Sequence, residues 1–128
     1  MATTDPASIT LLVAHGSRNP RVVADHTALC NAVAERTATT VLPAFLEISE
    51  PAIGEAIDDA VRSGAIRVTV LPLFVHVGNH VERDIPAIVA AARDRHPDLD
   101  LVLTGHIGAA PGFIELVATW IDDNGGRP

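Results

Sequence analysis

The chain has 128 residues, 48% of them apolar and 20% charged, and its 16 acidic and nine basic residues give a formal charge of −7. This composition excludes intrinsic disorder, and the apolar runs are far shorter than the ~18 residues of a membrane-spanning helix. The acidic balance, without a basic stripe, argues against nucleic-acid binding. Because the first residues, MATTDP, lack the features of a secretory signal, we expect a cytoplasmic protein.

The cysteine and lysine content restricts the chemistry further. The single cysteine, Cys30, excludes an intramolecular disulfide and a cysteine-ligated cluster, so a bound metal would need histidine or carboxylate ligands. All nine basic residues are arginine, which excludes Schiff-base chemistry and a P-loop lysine.

Two strand-then-helix units occupy the first half of the chain. The apolar run at residues 9–14 predicts a buried strand, and Asn19-Pro20 predicts the start of a helix that continues to about residue 36. A second strand is predicted at 41–46. Ser49 is expected to cap the helix that follows it, and Gly64 to end that helix.

Two more units follow in the second half. A strand is predicted at 66–74, irregular near its end because of Pro72, and a helix capped by Asp84 with Pro86 in its first turn. The last pair is a strand at 99–103 and a helix at 113–122.

Four such units in sequence predict a three-layer α/β fold, in which helices cover both faces of a four-stranded, mostly parallel sheet. We expect one domain over residues 1–128, with frayed ends at 1–7 and 124–128. The two edges of a four-stranded sheet, with few aromatic side chains to cover them, predict self-association as a homodimer.

Every strand-to-helix junction carries a side chain that can bind metal. Open parallel sheets bind ligands at the carboxyl ends of their strands, where the residues concerned are expected to lie: His15, Glu47, His76, His80 and His106. Other roles stay open, since His15 could bond a loop carbonyl and Glu47 could cap the next helix. The other two histidines, His26 and His96, lie on predicted helices and are interpreted as structural or surface residues.

Three arginines lie in or just beyond the junctions that carry His15 and His80. Arg18, Arg21 and Arg83 could hold the carboxylates or phosphates of an acidic ligand, or simply pair with neighbouring acidic residues. The absence of a GxGxxG motif after the first strand argues against a dinucleotide cofactor. A hydrolase using Ser17 with His15 is disfavoured because adjacent side chains usually point apart.

Three segments resemble one known family. AHGSRNP at 14–20, AFLEISEP at 44–51 and PLFVHVGNHVERDIP at 72–86 are similar to the sirohydrochlorin cobaltochelatases, the small CbiX-type chelatases. The resemblance implies the class II chelatase fold, a homodimer, and a lyase that inserts a divalent metal into sirohydrochlorin. The paired histidines of the family fall on His15 and His80, whereas His76 is an additional candidate ligand that the family pattern does not supply.

On this basis we expect metal insertion without ATP, in cobalamin or sirohaem biosynthesis, with cobalt as the first candidate and iron or nickel after it. His15 and His80 would hold the metal and accept protons, Glu47 would relay protons, and His76 could be a third ligand. No cofactor is expected beyond the substrate metal. A non-catalytic carrier of metal or tetrapyrrole, using the same loops, is the alternative. The expected substrate-binding residues are Ser17, Arg18, Arg21, Val75, Val77, Gly78, Asn79 and Arg83.

Overall fold

The computed structural model describes residues 5–125; residues 1–4 and 126–128, which belong to the ends predicted to fray, lie outside the described residues. Strands and helices alternate along this part of the chain. The strands are β1 (Asp5–Ala14), β2 (Thr39–Phe45), β3 (Arg67–Pro72) and β4 (Asp100–Leu103). The helices are α1 (Pro20–Ala34), α2 (Ile53–Arg62), α3 (Asn79–Arg95) and α4 (Phe113–Asn124), with a short 3-10 turn at Ile107–Ala109 before α4.

The four strands form one sheet in the order β2-β1-β3-β4, and each neighbouring pair is parallel. This confirms the predicted four-stranded sheet. The strand order changes direction between β1 and β3, because β2 lies on one side of β1 while β3 and β4 lie on the other. In open α/β sheets such a reversal opens a crevice at the carboxyl ends of the two central strands.

Helices pack on both faces of the sheet, as predicted. On one face, α2 and α3 bury the larger apolar cluster, which includes Leu11, Val13, Val68, Val70, Ile53, Ile57, Ile85 and Val89. On the other face, Cys30 of α1 packs on Leu12 and Val41. His26 is buried beside Cys30, and its Nε2 lies 2.9 Å from the carbonyl oxygen of Leu12, so this histidine is a structural residue.

The last helix covers neither face. Among the described residues, none of α4 is buried, and its contacts are chiefly with the preceding 3-10 turn. On the α1 side of the sheet, the half formed by β3 and β4 is correspondingly open, with Thr69, Leu71 and Val102 only partly buried. The helix α4 and the β3–β4 half of one sheet face are therefore not covered by any other part of the described chain.

Two predicted helix starts are wrong. Ser49 does not cap α2, which begins at Ile53, because its hydroxyl is bonded to the backbone of Ser17 instead. Asp84 does not cap α3, whose N-cap is Gly78, because Asp84 lies inside the helix and pairs with His80 one turn earlier.

The remaining boundaries differ by a few residues. Pro86 lies inside α3 rather than in its first turn, whereas Pro72 ends β3, as its missing N–H group predicts. The regular structure extends into both ends that were predicted to fray, since β1 begins at Asp5 and α4 ends at Asn124.

Candidate active site at the β1/β3 crevice

Two of the histidines that the sequence predicts as metal ligands follow the two central strands of the sheet, β1 and β3. His15 directly follows β1, and His80 lies in the first turn of α3, after β3. The two strands are hydrogen-bonded neighbours, with Val13 opposite Pro72 at their carboxyl ends. The segments that follow the two strands therefore leave the sheet side by side, at the end where parallel sheets bind ligands.

His15 is paired with Glu47. Its Nε2 lies 3.0 Å from Oε1 of Glu47, and both side chains remain more than half exposed. The backbone brings them together, because the Glu47 N–H donates to the carbonyl oxygen of His15 at 3.0 Å. Gly16 permits this approach: its φ is +113°, and a Cβ atom there would lie 1.8 Å from the carbonyl oxygen of Glu47. Glu47 thus pairs with a histidine and does not cap the next helix.

His80 is paired with a carboxylate as well. Its Nε2 lies 2.8 Å from Oδ2 of Asp84, one helical turn further along α3, and the His80 side chain is 74% exposed. The i, i+4 spacing of the two residues is visible in the sequence. The spacing brings their side chains together only if both residues are helical, so the pair can be identified only if the helix is known to begin before His80. Because Asp84 was expected at the helix start, sequence reasoning missed this partner.

The two pairs are separate in this structure. Within the described residues, no group of three or more histidine, cysteine, aspartate or glutamate side chains is close enough to hold a metal ion. His76 is exposed in the segment between β3 and α3. Gly78 is the N-cap of α3, so no continuous helix joins His76 to His80. A shared site formed by His15, His76 and His80 stays a prediction.

A small cavity lies at the carboxyl end of β3. It has a volume of about 180 Å³ and lies between the first turns of α3 and the loop after β4, with Val77, Glu82 and His106 in its wall. A hydrogen bond joins this loop to the segment after β3, because the Gly108 N–H donates to the carbonyl oxygen of Phe74 at 3.0 Å. His106 thus lies at the ligand end of the sheet, at the start of the 3-10 turn.

The three predicted arginines are available for an anionic ligand. Arg18, Arg21 and Arg83 are all exposed, and within residues 7–125 none of their guanidinium groups has an ion-pair partner. The expectation that they might only pair with acidic neighbours is therefore not met in this part of the chain. Unpaired guanidinium groups near a ligand site suit the recognition of carboxylates.

The other predicted binding residues are placed by the backbone. Gly78 and Asn79 lie at the N-terminus of α3, and the exposed Val75 and half-buried Val77 lie between β3 and α3. Ser17 lies between β1 and α1, and its Oγ accepts a hydrogen bond from the Asn19 N–H. That bond gives Ser17 a role in the turn before α1.

Two residues of the Glu47 loop have features that the sequence does not reveal. Ile48 has a φ of +68°, a left-handed conformation that is rare for a β-branched residue, and its side chain is 58% exposed. Ser49 bonds the loop that carries His15. The motif AFLEISEP contains both residues, but only the folded backbone shows what they do.

The other two histidines lie away from the crevice, and one belongs to a cluster at the opposite end of the sheet. His96 caps the C-terminus of α3, and its Nε2 lies 2.7 Å from Oδ1 of Asp58. The hydrogen bond from His96 and the charge and hydrogen bonds of Arg95 lower the pKa of Asp58 below its ordinary value, against the opposing effect of burial. This cluster joins α2 to α3 and has a structural role.

Comparison with known proteins identifies the family. The family model for CbiX matches residues 9–124, which is most of the chain. The chain belongs to the CbiX family. This confirms the resemblance found in the three sequence segments, two of which carry His15 and His80 and the third Glu47.

Curated relatives of this CbiX chain are named as sirohydrochlorin chelatases. It is 37% identical over 87 residues to a sirohydrochlorin cobaltochelatase of Methanocaldococcus jannaschii, covering 67% of this chain and 61% of the relative. It is 31% identical over 108 residues to the chloroplastic sirohydrochlorin ferrochelatase of Arabidopsis thaliana, covering 84% of this chain and 48% of the relative. The chain thus spans about half to three fifths of the length of these relatives.

Solved structures show the same fold. A CbiX protein from Marinobacter aquaeolei VT8 superposes with a TM-score of 0.80 at 25% identity, covering 94% of this chain and 99% of that one. The sirohydrochlorin chelatase SirB from Bacillus subtilis, solved in complex with cobalt, superposes with a TM-score of 0.78 at 26% identity. This chain covers 50% of SirB. Within residues 5–125, none of the helices has both the length and the apolar composition of a membrane-spanning segment.

Proposed function

We propose that this chain is a lyase that inserts a divalent metal into sirohydrochlorin without ATP, in the cytoplasm, for cobalamin or sirohaem biosynthesis. Cobalt is the first candidate metal and ferrous iron the second. The observation that carries the proposal is the presence of two exposed histidine–carboxylate pairs, His15–Glu47 and His80–Asp84, whose histidines follow the neighbouring strands β1 and β3. The names of the relatives support the substrate class.

The two pairs match the proton balance of the reaction. Insertion of a divalent metal into a tetrapyrrole forms bonds from the metal to the ring nitrogens and releases the two protons that the pyrrole N–H groups carried. As the metal passes from the two imidazole nitrogens to the ring nitrogens, each imidazole nitrogen would lose its metal bond and could then accept one of these two protons. A carboxylate that binds one ring nitrogen fixes the tautomer and leaves the other nitrogen for the metal. Glu47 and Asp84 are thus in position to pass protons to solvent.

Imidazole ligands also suit a metal that must leave the protein. They bind cobalt and ferrous iron, whereas thiolates hold soft metals much more firmly, and the single cysteine of the chain is buried away from the crevice. No cofactor is required in this scheme beyond the substrate metal. Arg18, Arg21 and Arg83, which have no ion-pair partner within residues 7–125, would bind the carboxylates of the macrocycle, and the exposed Val75 would contact its flat face.

We further propose that the working form is a homodimer. The 180 Å³ cavity between α3 and the loop after β4 is smaller than the roughly 300–1,000 Å³ of sites that enclose a drug-sized ligand, and a tetrapyrrole is at least as large as such a ligand. A second copy would enclose the macrocycle from the other side. The half-length match to SirB supports this, because the longer relative holds about twice as much chain.

The uncovered surfaces of the chain suit a second copy. Five large apolar side chains of α4 are between 42% and 74% exposed: Ile114, Leu116, Val117, Trp120 and Ile121. If each of these side chains buries on the order of 100 Å² of surface, the two copies of α4 and the surfaces that cover them would together bury roughly 2,000 Å². This area is within the range of stable dimers, and the open half of the sheet over β3 and β4 offers an apolar surface to receive a helix.

The oligomeric state can be tested with a matched pair of variants on α4. Trp120→Glu places a charge on the apolar side of the helix, whereas Thr119→Glu places the same charge on its polar side. Light scattering coupled to size exclusion should show a dimer for the parent chain and Thr119→Glu, and a monomer for Trp120→Glu. A parent chain that is monomeric at assay concentration would contradict the homodimer.

Turnover distinguishes the chelatase from the alternative carrier. Under anaerobic conditions, with sirohydrochlorin and Co²⁺ both in excess over protein, a chelatase produces many metallated macrocycles per site, measured by absorbance against a protein-free control. A carrier stops at about one metal per site. Product that never exceeds one equivalent would overturn the proposed reaction and leave the carrier.

A further inference from the structure

The Glu47–Ser49 turn holds the His15–Glu47 pair from the backbone side. The Ser49 N–H donates to the carbonyl oxygen of Glu47 at 2.7 Å, across Ile48 with its φ of +68°. This is a γ-turn whose central residue has a left-handed conformation, a rare and strained arrangement for a β-branched side chain. Such a turn persists only where the surrounding structure holds it.

The Ser49 side chain stabilises this turn through two hydrogen bonds. Its Oγ accepts a hydrogen bond from the Ser17 N–H at 3.0 Å and donates one to the Ser17 carbonyl oxygen at 2.9 Å. One hydroxyl therefore uses both its donor and its acceptor to join the loop after β2 to the loop after β1. Together with the Glu47-to-His15 backbone bond, it fixes the Glu47 loop on both sides of the strained residue.

Packing gives the His15–Glu47 pair little support, since the His15 ring has one edge-to-face contact, with Phe74 at 6.3 Å between ring centroids. Both side chains are more than half exposed, and an exposed ion pair has little energy to offset the side-chain entropy that a fixed geometry costs. The Nε2–Oε1 distance of 3.0 Å must then depend largely on where the backbone places each Cα atom. Sites that exchange a metal need their ligands and ligand partners held in advance in this way.

We propose that Ser49 is a positioning residue of the metal site: its two bonds to Ser17 hold the strained Ile48 turn and so keep the Glu47 carboxylate on His15. The inference rests on the proposed function for its consequence in catalysis, but its first effect is on metal binding by the protein alone. Ser49 contacts neither metal nor macrocycle in this scheme.

The test compares three variants with the parent chain. Ser49→Ala removes both bonds, Ser49→Thr keeps the hydroxyl, and Ser63→Ala is the matched control, because the Ser63 hydroxyl bonds Ala60 at the end of α2, away from the crevice. Co²⁺ affinity is measured by calorimetry without tetrapyrrole, and KM for Co²⁺ and kcat by the insertion assay. Loss of a partner that orients a metal ligand typically weakens affinity or activity by about 10–100-fold.

For Ser49→Ala we expect Co²⁺ binding and KM to weaken by roughly 10-fold or more, with a smaller change in kcat and near-parental values for the other two variants. Co²⁺ affinity within twofold of the parent, or an equal loss in Ser63→Ala, would overturn the inference. If the parent binds Co²⁺ but inserts none, the proposed function fails, while the calorimetry still decides the role of Ser49.

A double-mutant cycle tests whether Ser49 acts through the strained turn at Ile48. Glycine adopts the left-handed conformation without strain, so Ile48→Gly removes the strain that Ser49 is inferred to hold. In the Ile48→Gly background, Ser49→Ala should weaken Co²⁺ binding by a clearly smaller factor than it does in the parent. Equal factors in the two backgrounds would show that Ser49 does not act through the strained turn and would contradict the inference.

Discussion

Replacement of Gly16 by alanine should damage both the fold and the metal site, because two independent requirements for glycine meet at this residue. Its φ is +113°, a conformation that L residues rarely adopt, and an added Cβ atom would lie 1.8 Å from the Glu47 carbonyl oxygen. Gly64, at the end of α2, separates the two effects. It has a similar φ of +101°, but an added Cβ atom there would have no neighbour within 4 Å.

The expected magnitudes follow from this difference. The left-handed conformation alone costs an alanine about 1–2 kcal/mol, which is the whole expected loss for Gly64→Ala. At Gly16 the steric conflict forces the Glu47 backbone to move and adds about 1–3 kcal/mol, by analogy with overpacked interiors. Gly16→Ala should therefore lower the free energy of unfolding by roughly 2–5 kcal/mol, and it should reduce cobalt insertion because the Glu47 carboxylate moves with its backbone.

Urea unfolding followed by circular dichroism gives the two free energies, and the anaerobic absorbance assay gives the insertion rates under conditions where both variants are folded. Gly64→Ala should insert cobalt at the parental rate. If Gly16→Ala lost no more stability than Gly64→Ala and kept its insertion rate, the close contact between the β1 loop and Glu47 would not matter to the site.

Three further substitutions test other parts of the account. His80→Ala should abolish cobalt insertion and change stability by less than about 0.5 kcal/mol, because the side chain is exposed; insertion at the parental rate in the folded variant would contradict its role. Asp58→Asn should lower the free energy of unfolding at pH 7 by up to ~1 kcal/mol. His96 and Arg95 lower the pKa of Asp58, so the stabilisation by Asp58 is present above the ordinary carboxyl pKa and disappears as the pH falls through the lowered pKa. If urea unfolding showed that Asp58→Asn loses as much stability in strong acid as at pH 7, this assignment would be wrong. Phe45→Ala, at a fully buried position of β2, should cost about 3–5 kcal/mol in thermal or urea unfolding, and a loss below 1 kcal/mol would place Phe45 outside the core.

The sheet could be predicted from the sequence because its strands are short apolar runs with little ambiguity. The buried stretch around Leu11 and the equivalent run around Val70 consist mainly of aliphatic residues and are too short for a helix. Once the strands are known, the parallel α/β rule places every junction at one edge of the sheet, so the positions of His15 and His80 near one crevice could be predicted as well.

The partners of these histidines were harder to predict, because capping residues can be used elsewhere. Ser49 and Asp84 both precede plausible helix starts, and local pattern alone cannot show that the first bonds a distant loop and the second a histidine on its own helix. The pairing of Glu47 with His15 depends on the close approach at Gly16 and on the strained Ile48, which are properties of the folded backbone.

The packing of α4 could not be read from its pattern either. Apolar residues at Val117 and Ile121 predict that one side of the helix is covered, but the pattern does not say by which molecule. In the described chain that side is exposed, and the partner that the account supplies is a second copy.

The central claim is that His15 and His80 bind one metal between them at the β1/β3 crevice. A crystal structure of the protein with Co²⁺, prepared anaerobically without tetrapyrrole, tests it directly. We expect one cobalt ion within about 2.1 Å of a ring nitrogen from each of the two histidines. Cobalt bound away from both rings, or a separate ion on each histidine, would contradict it.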